Sequence, residues 1–376
     1  MKILHTADLH LDSPFVGNNL LNSDEKRENQ RELLRRIFAC AKEERCDLIL
    51  IAGDLFDSSC VTAETERTLL GLLKQSDCPV IIAPGNHDPF EEGSFYRRAN
   101  LPENVYVFSS TELQCFEFDS IRTRVFGYAF TAASLIKSPL AEATPPEKGN
   151  WNHLLCAHAE LNTPLTRYCP LTEGDIRRFE IDYAALGHIH RPPSEEGTIR
   201  YSGFGEGRSF DETGDGGVLL ITIEGNEPPV VARRILSRRR YVTRELDVTD
   251  YVGSAEIQTE ILAICGEEGK RAGTNLRLTL VGAAEEDAVT EVLYMEKGAF
   301  PEIAALESLE LKNLTVPYTD SASLSKDVGL RGAFYRELLP QLTSEDPAVR
   351  KKAVMAVKIG LAAIEGRTIP KGGGER

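Results

Sequence analysis

Residues 2–10 read KILHTADLH, and this stretch decides the fold. Lys2–Ala7 has the apolar pattern of a strand, and Asp8-Leu9-His10 follows where that strand ends. DLILIAGD, residues 47–54, repeats the arrangement, with a short apolar run before Asp54. Parallel strands of an open α/β sheet bind ligands at the edge formed by their carboxyl ends. The two stretches therefore predict a parallel sheet with a ligand-binding edge.

The same pattern recurs further along the chain. Three more apolar runs are each followed by candidate site residues: Pro79–Ala83 by Asn86, His87 and Asp88, Trp151–Ala157 by His158, and Tyr183–Leu186 by His188 and His190. Helical periodicity at Asp24–Glu44 and Thr62–Gln75 separates the first three strands. Gly217–Glu224 is a further β-type run. Strands that alternate with helices predict an α/β fold.

The composition is that of a soluble globular protein, with 41% hydrophobic and 27% charged residues. A chain of 376 residues is expected to hold a catalytic domain of roughly 200–250 residues and smaller units. We expect no membrane segment, because no apolar run approaches the roughly 20 residues that one needs. The N-terminus reads as a strand and not as a secretory signal, which favours a cytoplasmic location. The eight cysteines form no CxxC pair and are expected to be free thiols.

The net charge of −15 argues against a protein coated by nucleic acid. It is compatible with a nuclease, because bound cations supply local positive charge and basic residues can be confined to one groove. The arginines of the Arg233–Arg244 cluster could follow a DNA backbone, or they could form a solvated face or salt bridges between domains. The sequence leaves all three roles open.

Four segments are predicted. Residues 1–240 form the domain that carries the candidate ligands, with its boundary near Asn226–Arg240. Residues 241–317 form a small α+β domain, and 318–368 form a helical hairpin with Ser344 as N-cap and Gly366 as C-cap. The Gly-rich residues 369–376 are expected to be a disordered tail.

The candidate ligands are Asp, Asn and imidazole without thiolate. This set suits Mn²⁺, Fe or Zn²⁺, and imidazole argues against Ca²⁺ or Mg²⁺ alone. Asp54 can bridge two ions about 3.5–4 Å apart, as in two-metal hydrolases. Each short motif is common by itself, but five of them in this order at strand ends indicate a site. His5 and His153 lie within strand patterns and are predicted to be core histidines.

These residues resemble the pattern D-x-H…G-D…G-N-H-[DE]…H…G-H-x-H of the calcineurin-like metallophosphoesterases. ADLHLDSPF (7–15), GDLFD (53–57), GNHDPF (85–90) and YSGFGEGRSFDETGDGG (201–217) further resemble the SbcD/YhaO-type DNA repair exonucleases. The resemblance is strong over residues 1–240 and weaker beyond them. It implies a two-sheet α/β sandwich with a small α+β capping unit and a C-terminal helical hairpin that docks an ATPase.

The resemblance also implies roles for individual residues. One ion is held by Asp8, His10, Asp54 and His190, and the other by Asp54, Asn86, His158 and His188. His87 is a catalytic residue over the scissile phosphate, and Asp88 orients it. The expected cofactors are two divalent ions, with Mn²⁺ first and Fe or Zn²⁺ as alternatives. The expected partners are DNA, an SMC-like (SbcC-like) ATPase subunit and a second copy of the chain.

One loop departs from the family pattern. Ser202-Gly203-Phe204-Gly205 stands where a Pro-Gly-Ser-Pro type loop is usual, which affects substrate contact and not metal binding. Phe204 and Arg208 are the candidates for that contact.

A protein phosphatase is disfavoured, since GDxxDRG and GNHE are absent. A phosphodiesterase of a small substrate, such as a cyclic nucleotide or phospholipid, and a weakly active regulatory subunit are the alternatives. The sequence does not decide the physiological metal, the strand polarity, exonuclease against endonuclease action, or a need for ATP.

Overall fold

The computed structural model describes residues 1–13, 23–57, 61–191, 197–225, 227–249, 251, 253–284, 286–295, 299–317 and 321–366. The predicted tail at 369–376 lies outside these residues, as do residues 14 and 15 of the first motif. The chain divides into two compact units, Met1–Arg240 and Tyr241–Arg376.

The first unit contains thirteen strands among its described residues. They are β1 (Lys2–Thr6), β2 (Leu48–Ile51), β3 (Val80–Ile82), β4 (Val105–Val107), β5 (Gln114–Phe118), β6 (Thr123–Gly127), β7 (Asn152–His158), β8 (Glu160–Leu161), β9 (Pro170–Leu171), β10 (Tyr183–Gly187), β11 (Ile199–Tyr201), β12 (Gly217–Thr222) and β13 (Val230–Ile235). Its helices are α1 (Ser23–Glu43), α2 (Ala63–Gln75), α3 (Phe95–Arg98), α4 (Pro139–Glu142) and α5 (Glu173–Arg178), with a 3₁₀ turn at Asp119–Ile121.

These strands form two large sheets. The first has the order β13-β12-β1-β2-β3-β4, and the second has the order β11-β10-β7-β6-β5. Strands β1 to β4 are parallel, as are β11, β10, β7 and β6. The antiparallel strands lie at the sides: β12 and β13 in the first sheet, and β5 in the second. Each sheet therefore directs the carboxyl ends of its parallel strands to a single edge.

The side chains of the first sheet alternate between two apolar cores. Ile3 and Leu50 pack with Leu154 and Tyr183 of the second sheet, so this core lies between the sheets. Their neighbours along the strands, such as Ile49, face the other way and pack against α1 and α2. A further core covers the other face of the second sheet with α5. Each fully buried Leu or Ile contributes roughly 1.5–3 kcal/mol. The predicted two-sheet α/β sandwich is confirmed.

Strand β13 was not predicted, because its residues were assigned to a domain boundary. It pairs antiparallel with β12 from Gly217↔Ile235 to Thr222↔Val230. Five of its six residues are exposed, so an alternating apolar pattern is absent. The backbone ladder, and not burial, holds this edge strand, and a sequence pattern cannot reveal that.

The second unit continues with β14 (Arg240–Asp247), β15 (Thr274–Val281) and β17 (Ser308–Asn313) in one sheet, and β16 (Ala283–Ala284) with β18 (Val316–Pro317) in another. Its helices are α6 (Ser254–Gly269), α7 (Glu286–Leu293), α8 (Pro301–Ala304), α9 (Ser321–Lys326), α10 (Leu330–Leu342) and α11 (Pro347–Ile364). Strands β15 and β17 are parallel, and Ile261 of α6 packs with Leu278 of β15 in an apolar core. This part is an α+β arrangement followed by helices.

The hairpin of α10 and α11 has its own small core, in which Val357 and Leu361 are buried against Phe334. Leu330 lies four residues before Phe334 and thus on the same face of α10, but it is 70% exposed. The N-cap of α11 is Asp346 and not Ser344, because the Asp346 carboxylate accepts the backbone N–H of Ala348. None of the helices in the described ranges is long and apolar enough to cross a membrane.

Candidate metal centre

The candidate ligands meet where the two sheets present the ends of their parallel strands. Asp8 follows β1, Asp54 follows β2 and Asn86 follows β3, all in the first sheet. His158 is the last residue of β7 and His188 follows β10, in the second sheet. The site is therefore assembled from both layers of the sandwich.

The backbone is strained at four of the seven candidate ligands. Asp8, His10, Asp54 and His188 have φ values of 53°, 44°, 49° and 108°. Such conformations cost roughly 1–3 kcal/mol each and persist only where the surroundings enforce them. Here the loops hold one another, because the N–H of Asp8 donates to the carbonyl of Gly53 at 3.0 Å and that of His10 to the carbonyl of Asp54 at 2.9 Å.

One cluster consists of Asp8, His10, Asp54 and His190, whose ligand atoms lie within 4.8 Å of one another. The Nε2 atoms of His10 and His190 are 3.1 Å apart. His190 Nε2 is 3.5 Å from Asp8 Oδ1, and His10 Nε2 is 3.7 Å from Asp54 Oδ2. We call this group the first cluster.

A second cluster surrounds His158 Nε2. This atom is 2.9 Å from Asn86 Oδ1, 3.2 Å from His188 Nδ1 and 3.3 Å from Asp54 Oδ2. Asp54 Oδ2 thus faces both clusters, while its Oδ1 accepts the backbone N–H of His87 at 3.0 Å. The structure brings together all seven residues that the sequence suggested as ligands.

The outward nitrogen of each imidazole is bonded to a carbonyl or carboxylate oxygen. These pairs are His10 Nδ1 with Asp57 (3.0 Å), His158 Nδ1 with the Ala52 carbonyl (3.1 Å), His188 Nε2 with Glu160 (3.1 Å) and His190 Nδ1 with Glu212 (2.8 Å). When the outer nitrogen donates its proton, the inner nitrogen presents a lone pair, as in metal-binding histidines. Ligands about 2.0–2.2 Å from one ion and at right angles stand about 3 Å apart, close to the distances within both clusters. The donor set fits two divalent cations.

Buried carboxylates make this edge attractive to cations. Asp8 and Asp54 are 2% and 1% exposed, and their ion pairs in the described part of the chain are with histidines alone. Burial opposes protonation of His158, but the charge of Asp54 raises the pKa of His158 to about 9. Burial also opposes protonation of His190, but Asp8 and Glu212 raise its pKa to about 10.

His87 lies at the rim of the site, with 45% of its side chain exposed. Its Nδ1 is 3.0 Å from Asp57 Oδ1, the same oxygen that contacts His10 Nδ1. The hydrogen bond with Asp57 raises the pKa of His87. Asp57 therefore connects a residue of the first cluster with the one exposed imidazole of the motif.

The expectation that Asp88 orients His87 is wrong. The buried Asp88 carboxylate accepts backbone N–H groups from Leu55, Phe56 and Gly85 at 2.8, 3.1 and 2.8 Å, and the Tyr96 hydroxyl at 2.6 Å. Burial and the nearby Asp54 raise the pKa of Asp88 to about 7. Asp88 ties the Asp54 loop to the Asn86 loop, and the carboxylate that contacts His87 is Asp57.

Two glycines are required by close packing in these loops. Gly53 has a φ of +94°, and a Cβ there would overlap the ring of His158. A Cβ on Gly85 would overlap the carboxylate of Asp54. At Gly85 the requirement is close approach and not a sharp turn, because no positive φ occurs there.

The remaining candidates have structural contacts. Phe204 is 3% exposed, so the expectation that it contacts substrate is wrong. The Arg208 guanidinium is held by Glu212 and by the Ser13 hydroxyl. His5 and His153 are core histidines as predicted: His5 bonds the Tyr183 hydroxyl, and His153 bonds the Phe179 carbonyl.

Three arginines of the Arg233–Arg244 cluster form ion pairs. Arg234 pairs with Glu44, Arg239 with Glu25 at 2.9 Å, and Arg244 with Glu268 at 2.6 Å. Each of these pairs lies within one of the two units, so they are not the salt bridges between domains that the sequence suggested, but they argue against a surface reserved for DNA.

A cleft of about 580 Å³ opens beside the two clusters. Its lining includes His188 and His190, together with Glu160, Thr163, Arg191, Tyr201 and Asp211. The ring of Tyr168 packs against that of His188, with 4.5 Å between the ring centroids and 37° between the ring planes. The cleft gives a substrate access to the candidate ligands.

Sequence reasoning missed Asp57, Glu160 and Glu212 as functional residues. Asp57 and Glu160 follow Asp54 and His158 by three and two residues, a short spacing that could have drawn attention to them. Glu212 lies 22 residues beyond His190, and the sequence marks it only through the stretch 201–217 that carries the resemblance.

The chain belongs to the calcineurin-like phosphoesterase family, whose model matches residues 1–192. This is a family of hydrolases that use divalent metals. The chain is 30% identical over 243 residues to the "Uncharacterized metallophosphoesterase YhaO" of Bacillus subtilis, covering 60% of this chain and 58% of that protein. It is also 30% identical over 259 residues to a Staphylococcus epidermidis protein named as part of the nuclease SbcCD, covering 60% and 67%. A solved dimetal phosphatase from Danio rerio is 12% identical, covers 63% of this chain and 96% of that one, and has a TM-score of 0.37.

Proposed function

We propose that the protein is a two-metal phosphodiesterase that hydrolyses DNA as an exonuclease, with endonuclease action as a further mode, in end processing or double-strand-break repair. The observation that carries the proposal is Asp54 Oδ2, which lies 3.7 Å from His10 Nε2 and 3.3 Å from His158 Nε2. One carboxylate oxygen that faces two separate imidazole clusters is the arrangement of a bridging ligand. Mn²⁺ is the expected metal, with Fe or Zn²⁺ as alternatives.

The ligands are assigned by cluster. Asp8, His10, Asp54 and His190 would hold one ion, and Asp54, Asn86, His158 and His188 the other. Two bound divalent cations would supply Lewis acidity to a phosphodiester and a more acidic water for its hydrolysis.

His87 is proposed to act on the substrate directly. Its Nδ1 is engaged by Asp57, and 45% of the side chain is exposed, so its Nε2–H is available to a phosphoryl or leaving oxygen. A protonated imidazole can stabilise charge there and donate a proton to the leaving group. Asp57 holds this ring and favours its protonated form.

DNA is the proposed substrate because of the similarity to a protein named as part of a nuclease. By the same similarity, we propose an SMC-like ATPase partner, a homodimer, and a capping role for residues 241–317. The hairpin within 318–368 supports docking of a partner, since Leu330, Leu339 and Ile359 are 70%, 38% and 42% exposed.

A small phosphodiester is the second candidate substrate. Glu160 and Asp211 line the cleft beside the ligands, and carboxylates repel the neighbouring phosphates of a polynucleotide. The ion pairs of Arg234 and Arg239 also leave those side chains less available to a DNA backbone.

Mn²⁺-dependent digestion of single- and double-stranded DNA, beside a bis(p-nitrophenyl) phosphate reporter, tests the proposal. We expect cleavage of DNA and reporter by the wild type. His87→Ala should bind Mn²⁺ and lose turnover, whereas Asp54→Ala should lose Mn²⁺. Asp119→Ala is a matched control, because Asp119 is exposed and remote from the ligands. Hydrolysis of the reporter without cleavage of DNA would favour the small substrate, and full activity of Asp54→Ala would refute the two-metal site.

A further inference from the structure

Glu212 is a buried carboxylate, 4% exposed, in the segment that follows the His188–His190 loop and β11. It accepts the Nδ1–H of His190 at 2.8 Å and the backbone N–H of Arg208 at 2.8 Å. The Arg208 guanidinium donates to it through Nε at 3.1 Å and through Nη2 at 2.5 Å. Such a carboxylate has one conformation, because several donors fix both of its oxygens.

Oε1 of Glu212 accepts hydrogen bonds from two donors that would otherwise repel each other. Arg208 Nη2 and His190 Nδ1 are 3.2 Å apart, and both donate to this one oxygen. Without the carboxylate, the guanidinium would face a ring N–H directly. The imidazole of His190 would then turn or change tautomer, and its Nε2 would no longer face His10 Nε2 at 3.1 Å.

The same network reaches the other imidazole of the first cluster. Arg208 Nη1 donates to the Ser13 hydroxyl at 3.1 Å, and this hydroxyl donates to the His10 carbonyl at 2.8 Å. Arg208 thus connects Glu212 with the loop that carries His10. In the second cluster, His188 is held instead by Glu160 of β8, at 3.1 Å.

We propose that Glu212, held by Arg208, is a positioning residue for the first cluster alone, and that Glu160 has the matching role for His188 in the second cluster. This inference rests on the proposed two-metal site. It predicts that the two cation positions can be weakened one at a time, because the carboxylates that orient their histidines belong to different loops.

Titration of the chelated, metal-stripped protein with Mn²⁺ tests this, by calorimetry for affinity and stoichiometry and by electron paramagnetic resonance for free Mn²⁺. The wild type should bind two ions. In Glu212→Gln the amide N–H₂ meets the Arg208 donors, so one site should weaken about 10–100-fold while the other keeps its affinity. Glu160→Gln, the matched control, should also weaken one site, and the double variant should weaken both.

Arg208→Lys provides a second test if Glu212→Gln does not fold. Lysine keeps the charge but lacks the planar fork, so this variant should weaken the same single site by a smaller factor. A uniform weakening of both sites in Glu212→Gln, or in Arg208→Lys, would overturn the proposal, since a purely structural role predicts that result. Unchanged binding would overturn it too. A wild type that binds no pair of ions would instead overturn the two-metal site itself.

Discussion

Replacement of Asp57 should reduce both turnover and metal affinity, because one oxygen serves two imidazoles. Oδ1 lies 3.0 Å from Nδ1 of His10 and 3.0 Å from Nδ1 of His87, and the side chain is 16% exposed. Asp57→Ala removes both contacts. Asp57→Asn keeps an oxygen that can accept both ring N–H groups but removes the charge.

The magnitude follows from the two bonds. A hydrogen bond to a charged group contributes about 1.5–3 kcal/mol, and each 1.4 kcal/mol is about tenfold in rate or affinity. Loss of the His87 contact should therefore lower kcat by roughly 10–100-fold at saturating Mn²⁺. Loss of the His10 contact should weaken Mn²⁺ binding by about 10–100-fold, as for other partners of metal-binding histidines.

Reporter hydrolysis and Mn²⁺ titration of Asp57→Ala, His87→Ala and the double variant separate these effects. If Asp57 acts on turnover through His87, the double variant should have the same kcat as His87→Ala. Asp119→Ala is the control, since Asp119 is exposed and is not among the residues that line the cleft. A wild-type kcat in Asp57→Ala, or additive losses in the double variant, would refute the reasoning.

Three further predictions follow from buried groups and from the metals. Burial lowers the pKa of His5 to about 3, below its unfolded value of about 6.5. The stability that comes from its neutral form is therefore present above pH 6.5 and is lost as the pH falls towards 3, by about 1.4 kcal/mol per pH unit. In urea unfolding between pH 7 and 4, the free energy of unfolding should depend less on pH for His5→Gln than for the wild type. Asp88→Asn should lower the free energy of unfolding by about 2–4 kcal/mol, because an amide cannot accept from four donors, and an unchanged urea midpoint would contradict this. Chelation should lower the melting temperature, and Mn²⁺ at about 100 times its dissociation constant should restore about 2.7 kcal/mol, a shift that calorimetry measures and that Asp54→Ala should lack.

The sandwich was predictable because its central strands are buried on both faces. Leu48–Ile51 is entirely buried, and a run of four apolar residues in the sequence reports that directly. The exposed β13 carries no such pattern, and its assignment needed the ladder with β12. Apolar patterns thus predict the centre of the sheet well and its edge poorly.

The sequence also predicted which residues gather at the strand ends, but not what holds them. Asp88 is adjacent to His87 in the sequence, and that proximity suggested a hydrogen bond. In the loop, the Asp88 side chain instead meets N–H groups of the Asp54 loop, while Asp57 reaches His87 across the site. Glu212 likewise reaches His190 only through the tertiary fold. Motifs at strand ends reveal the ligands, whereas the residues that hydrogen-bond those ligands are set by tertiary packing.

Backbone strain and buried negative charge occur together at the candidate metal centre. Each cluster takes ligands from both sheets: His190 joins Asp8 and Asp54 in the first, and His158 joins Asn86 in the second. Four ligand residues have strained backbones, at roughly 1–3 kcal/mol each, and two carboxylates are buried beside them. Apolar packing between the sheets lies beneath this edge and cannot neutralise those carboxylates. Cations at the clusters would do so and would also connect the two sheets at the edge where strain is concentrated. Metal binding should therefore stabilise the first unit as well as enable hydrolysis, because the same side chains serve both purposes.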